Sequence, residues 1–77
     1  MTMVASIQKN AREEIRVSLD DFKGMRLLNL RVWFRADDGE MRPGKQGLAV
    51  RVELLSDVID ALQSAEALRL PRREDAA

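Results

Sequence analysis

The chain has 77 residues and contains neither cysteine nor histidine. Disulfides, thiolate metal sites and iron–sulfur clusters are excluded, and so are an imidazole base and a near-neutral pH switch. Its 13 Lys/Arg balance 13 Asp/Glu, and 45% of its residues are hydrophobic, the composition of one small folded domain with a thin core.

Val4 to Gln8 reads as a short strand and Lys9 to Arg12 as a turn. Glu14 to Leu19 alternates, with Ile15, Val17 and Leu19 on one face and Arg16 and Ser18 on the other. Asp20, Asp21 and Gly24 punctuate the next connection. Arg26 to Arg35 is a longer strand whose even positions, Leu28, Leu30, Val32 and Phe34, form an apolar face. Asp37-Asp38-Gly39 is a turn signal, because glycine tolerates positive φ and aspartate bonds its own backbone. A strand segment starts at Glu40, is interrupted by Pro43-Gly44 in the manner of an edge or a bulge, and resumes from Gly47 to Val52.

From Glu53 to Leu68 the period changes to that of a helix, with Leu55, Val58, Ile59, Leu62 and Ala65 at three- and four-residue steps. Glu53 and Asp57 suit the positive end of its dipole, and Arg69 and Pro71 mark its end. A second apolar edge through Leu54, Ala61 and Leu68 exceeds what one sheet face needs, which predicts a helix-mediated contact with a second copy. The small size, with no covalent or metal staple, predicts a homodimer on its own account. The fold class is α+β: an antiparallel sheet followed by one C-terminal helix. The domain spans residues 1–69, and the polar tail 70–77 is expected to be disordered. No apolar run approaches a membrane span and no export signal opens the chain, so a cytoplasmic protein with no membrane contact is expected.

The helix is expected to cover one sheet face and to leave the other open. That open face would present Arg16, Arg31, Trp33, Arg35 and Arg51. Residues 22–51 carry seven basic and three acidic side chains, so a neutral total hides a basic region. Arginines around an aromatic suit single-stranded nucleic acid, whose phosphates they neutralise and whose bases stack on the ring. The plainer alternative is a solvated sheet face with Trp33 packed in an interface. Asp37, Asp38 and Glu40 lack the spacing of a calcium loop and read as a solubilising turn. Gly39, Gly44 and Gly47 lead into a strand rather than a helix, so they are not a phosphate loop; they shape bulges or admit another backbone. Ser18 and Ser56 have no histidine to activate them. No enzyme, cofactor or metal is expected.

Phe22-Lys23-Gly24, then Leu27-Leu28-Asn29-Leu30-Arg31 with two aromatics, then Gly39-Glu40-Met41-Arg42-Pro43-Gly44-Lys45-Gln46-Gly47-Leu48 together resemble the positive cofactor four family of transcriptional coactivator domains. The opening from Ile7 to Arg16 is similar to the short bacterial branch. The resemblance covers about residues 5–66. It implies a curved, four-stranded antiparallel sheet with a C-terminal helix, dimerising through helices and strands. It also implies binding of single-stranded or unwound DNA with little sequence preference. By matching position, Phe22 is implied to stack on a base, Lys23 to contact a phosphate and Arg31 to contact DNA. Phe34 is implied to stack where relatives have tryptophan, with Arg42 and Lys45 as basic residues of the following strand.

The match departs at Met25 and Gln46, where the eukaryotic domains are basic; Arg26 is the candidate to compensate for the first. Trp33 stands in place of a tyrosine, and the eukaryotic serine- and lysine-rich regulatory region has no counterpart. Strict alternation puts Trp33 on the open face and Phe34 on the apolar one. A bulge near residues 32–35 would reconcile alternation with the resemblance. Both aromatics therefore stand as candidates.

The interface expected from sequence is Phe22, Lys23, Arg26, Arg31, Trp33, Phe34, Arg42 and Lys45. The expected partner is single-stranded DNA, with RNA open as a third ligand, in transcription, repair or recombination on the nucleoid. The alternative is a protein-interaction module of the transcription machinery that uses the same basic, aromatic face.

Overall fold

The computed structural model describes residues 1–69. The expected tail 70–77 lies outside the described residues. Four strands, β1 (Thr2–Gln8), β2 (Glu13–Phe22), β3 (Met25–Arg35) and β4 (Met41–Arg51), form one antiparallel sheet in sequence order. A 3-10 turn, Val52–Leu54, leads into helix α1 (Leu55–Leu68). The expected class and element order are both found; β2 runs one residue earlier and three later than its alternation marks.

Each connection has a local cause. Lys23 and Gly24 link β2 to β3 with φ of 52° and 79°, the two positive values that a two-residue turn needs to match strand twist. Asn10 organises the β1–β2 turn: its Oδ1 accepts from the backbone N–H groups of Arg12 and Glu13, both at 2.9 Å. The β3–β4 turn closes through Gly39 N–H to Ala36 O at 2.9 Å and Ala36 N–H to Glu40 O at 2.8 Å.

The β2–β3 pairing is regular from Glu13 opposite Phe34 to Phe22 opposite Met25. Residues directly opposite share a face, so register assigns facing. Ile15, Val17 and Leu19 share the apolar face with Leu28, Leu30 and Val32, continued by Leu48 and Val50 on β4 and Ile7 on β1. Glu14, Arg16 and Ser18 share the other face with Asn29, Arg31 and Trp33.

Two irregularities bend the edges. Register shifts around Val4 in β1, and the β3–β4 pairing jumps from Arg31 opposite Gly47 to Trp33 opposite Pro43. The extra residues of the second lie on β4, between Pro43 and Gly47, as the proline and glycines suggest. The backbone approaches closely there: a Cβ on Gly47, at φ 151°, would strike the Leu30 carbonyl oxygen and the Arg31 Cα.

The helix departs from expectation. It does not lie across the sheet. Only Leu55 and Val58 of α1 are half-buried, while Ile59 and Leu62 of the expected core stripe are 44% and 60% exposed. The 3-10 turn sits against β3 and carries the helix past the sheet. The described residues form a slab of 42 × 37 × 18 Å. Among them only Leu28 and Ser18 are buried. Periodicity records that a stripe is apolar, not which surface covers it.

Candidate nucleic-acid interface

The eight residues expected from sequence fall into three groups. At the β2–β3 tip, Phe22 is 54% exposed, and the Lys23 ammonium lies 5.3 Å from its ring centroid. Arg26 pairs with Asp21, directly opposite on β3 and β2, at 3.2 Å. The guanidinium hydrogen-bonds the carboxylate and holds Asp21 below its ordinary pKa, while Asp21 raises that of Arg26.

At the other end of the hairpin, nine residue steps or roughly 30 Å along β2, Trp33 and Phe34 point to opposite faces. Trp33 shares its face with Arg16 and Arg31, as strict alternation predicts. The Arg16 guanidinium carbon sits 4.2 Å from the indole centroid, and Arg16 Nε donates to Glu14 Oε1 at 2.6 Å. This cation–π contact covers one face of the Trp33 ring. Arg31 Nη1 donates to Gly44 O at 3.1 Å, tying β3 to the irregular part of β4.

Phe34 lies on the apolar face, beyond its last aliphatic residues. The irregularity near residues 32–35 that would reconcile alternation with the resemblance falls between Arg31 and Trp33 in the β3–β4 pairing, but its extra residues are on β4, so β3 alternates without a break against β2 and Phe34 keeps its face. Phe34 is nevertheless 39% exposed, since the apolar face ends beside it. Glu13 is opposite it on β2 and Arg42 on β4. Arg42 pairs with Asp38 across the β3–β4 turn. Lys45 lies exposed in the irregular stretch of β4 and makes no ion pair among the described residues.

Next to Phe34 is an open hollow of about 570 Å³, lined also by Asn10, Arg12, Glu13, Arg35, Ala36 and Asp37. Arg35 N–H donates to Arg12 O at 2.9 Å, stitching the β1–β2 turn to the end of β3. The Glu13 carboxylate receives Asn10 Nδ2 at 2.7 Å and Lys9 Nζ at 2.9 Å. The Asn10 hydrogen bond first, and Lys9 second, hold Glu13 below the ordinary glutamate pKa. Arg12, Glu13 and Asn10 were not among the residues expected from sequence. The available signal was an asparagine three residues before a glutamate in a turn. Nothing in the chain's local pattern shows that this turn closes onto Phe34, 21 positions downstream of Glu13.

The sequence profile described as Transcriptional Coactivator p15 (PC4) matches residues 9–61. The chain belongs to this family. The PC4 homolog BPSL1147 from Burkholderia pseudomallei is 35% identical, with a TM-score of 0.78 over 84% of this chain and 88% of that one. MoSub1, in a crystal structure of its DNA complex, is 28% identical with a TM-score of 0.63, covering 90% of this chain and 84% of that one. The bacteriophage T5 homolog of the eukaryotic coactivator PC4, implicated in recombination-dependent DNA replication, shares the fold at 19% identity. Its TM-score is 0.70, over 97% of this chain and 89% of that one. No described helix is long and apolar enough to cross a membrane.

Proposed function

We propose that this PC4-family chain is a non-catalytic single-stranded DNA-binding protein that acts as a homodimer and has little overall sequence preference. The observation that carries this is Phe34: an exposed ring at the mouth of a hollow, with Arg12 and Arg42 beside it. A base stacks on such a ring for about 1–3 kcal/mol, whatever its identity. Arg42 and Lys45 neutralise phosphates along the strand, whereas Arg31 leaves the opposite face with Trp33 and stands outside this contact. Phe22, Lys23 and Arg26 form a second contact at the far tip. MoSub1, a relative solved in complex with DNA and with single-stranded DNA, supports the reading.

The dimer is supported by what one copy leaves uncovered. Leu54, Ile59, Leu62 and Leu68 are 44% exposed or more. Burying one leucine or isoleucine side chain fully contributes about 1.5–3 kcal/mol, so pairing these helices would supply the core that a single copy lacks. Two grooves on one dimer let a strand engage both, which raises affinity through effective concentration. The process served is a DNA transaction in the cytoplasm, on the nucleoid, of the transcription or recombination kind for which the relatives are named. A protein-binding reading of the basic, aromatic face would need Trp33 as its anchor, and Arg16 already covers one side of that ring.

The test is a titration of fluorescent oligo-dT at two salt concentrations, with the matching duplex as control. The expected result is tight, salt-sensitive binding to the single strand and weak binding to the duplex. No single-strand binding at low salt overturns the proposal.

A further inference from the structure

Stacking alone does not account for the hollow beside Phe34. Glu13 and Phe34 are directly opposite each other on β2 and β3, so their side chains leave the same face as neighbours. A base lying on the ring therefore brings its edge to the Glu13 carboxylate. That carboxylate is fixed: Asn10 Nδ2 and Lys9 Nζ both donate to Oε1. Oε2 has no partner among the described residues and is left as an acceptor. Asn10 in turn is held by the Arg12 and Glu13 backbone N–H groups. Arg12 also lines the hollow, and its guanidinium reaches the Arg35 carbonyl oxygen at 3.5 Å. It uses one of five N–H donors in that contact and keeps others; the Arg35 side chain leaves the opposite face, with Trp33. The cavity volume, about 570 Å³, falls in the range of roughly 300–1,000 Å³ usual for small-ligand sites.

The site thus offers a stacking ring, an acceptor on one side and planar donors on the other. One base matches that pattern. Guanine carries adjacent N1–H and N2–H donors on its pairing edge, and O6 and N7 acceptors toward the other. Cytosine and adenine offer a carboxylate one amino group, and thymine one imide N–H. We propose that the Phe34 hollow is a guanine-selective subsite: Phe34 stacks the base, Glu13 Oε2 accepts from its N1–H and N2–H, and Arg12 donates to O6 and N7. The subsite rests on the single-strand reading above and adds one selective position to otherwise permissive binding.

The test compares the full chain binding three labelled strands. One is oligo-dT with interspersed guanines, the second has hypoxanthine at those positions, and the third is oligo-dT alone. The expected result is a guanine preference over dT of about five- to tenfold, the lower end for a bidentate contact in an open hollow. Hypoxanthine, which lacks the 2-amino group, loses most of it. Glu13→Gln keeps an acceptor for Asn10 but presents a mixed donor and acceptor to the base. It is expected to abolish the guanine preference, read as the ratio of guanine-strand to oligo-dT affinity within that variant. Equal affinity for all three strands overturns the subsite and leaves the single-strand reading standing. A guanine preference that survives both hypoxanthine and Glu13→Gln also overturns it. No binding to any strand overturns both.

Discussion

Trp33 and Phe34 are adjacent in sequence and sit at the same end of the sheet, yet they occupy opposite faces and opposite circumstances. On the Trp33 side a guanidinium lies on the ring and Glu14 secures that guanidinium in turn. On the Phe34 side the ring borders an open hollow. The larger aromatic is committed to packing, and the smaller one is available. Ring size alone would have ranked them the other way. The difference lies in what each face provides: the Trp33 face brings Arg16 and Arg31 over the strand, while the Phe34 face runs out of aliphatic neighbours just where a base would enter.

The two sides share one support, the irregular stretch of β4. Gly44 supplies the carbonyl that holds Arg31, and a Cβ on Gly44 would meet Val32 O at 2.9 Å and Phe34 Cδ1 at 3.7 Å. Gly47 packs against the backbone of Leu30 and Arg31, which cannot yield. Breaking this support gives the largest expected effect. Gly47→Ala should cost about 2 kcal/mol through overpacking and backbone strain, read as a fall in Tm of roughly 10 °C or more. A Tm within a degree or two of the parent would mean that the two faces are not held by this stretch.

Arg16→Ala sharpens the contrast next. It uncovers the single tryptophan of the chain. The expected result is a red-shifted emission and a loss of about 0.5–1 kcal/mol of stability. Oligo-dT affinity should change far less than on removal of Phe34. An unshifted emission would show that Arg16 does not cover the ring in solution.

How much of this could be read from the sequence follows from how local each cause is. Alternation from Leu28 to Phe34 and the helical spacing from Leu55 are written in near neighbours, and both elements formed where they indicate; of the connection expected at Asp20, Asp21 and Gly24, only Gly24 lies in the turn, because the two aspartates continue β2. Pro43, Gly44 and Gly47 announced an irregular β4, but not that β3 would stay regular beside it. The placement of α1 was not legible, because an apolar stripe fits a sheet or a second helix equally well. The hollow was not legible either. It joins Asn10 and Glu13 to Phe34 through strand pairing, and a single sequence does not print pairing. The resemblance indicated Phe34; the structure supplies a physical reason, its exposure.

Lys45 and Arg42 test the electrostatics beside Phe34 on a smaller scale. Lys45→Ala should make the log–log dependence of single-strand affinity on salt shallower by about 0.7, the value for one phosphate contact. Arg42→Ala should change it less, because Arg42 is already engaged by Asp38. Equal changes would argue that the Asp38 pair opens when DNA binds.

The smallest effect concerns acid. Asn10 and Lys9 lower the Glu13 pKa, and Arg26 lowers that of Asp21. Both carboxylates then favour the folded chain when ionised, so their contribution is complete above the ordinary carboxylate range and is lost as pH falls through the depressed values. Asp21 is exposed and Glu13 only half-buried, so the effect is slight. Tm should be flat from pH 7 to about 5 and decline below the ordinary carboxylate range, and Asn10→Ala should bring the decline to higher pH. A Tm that rises on acidification would contradict this assignment.

The most direct measurement places Phe34→Ala and Trp33→Ala side by side in oligo-dT titrations at low salt, each confirmed folded by circular dichroism. The account predicts that Phe34→Ala weakens binding at least about fivefold, as for one lost base stack, while Trp33→Ala costs affinity far less and stability more. The reverse ranking, with Trp33→Ala abolishing binding and Phe34→Ala leaving it intact, would contradict it.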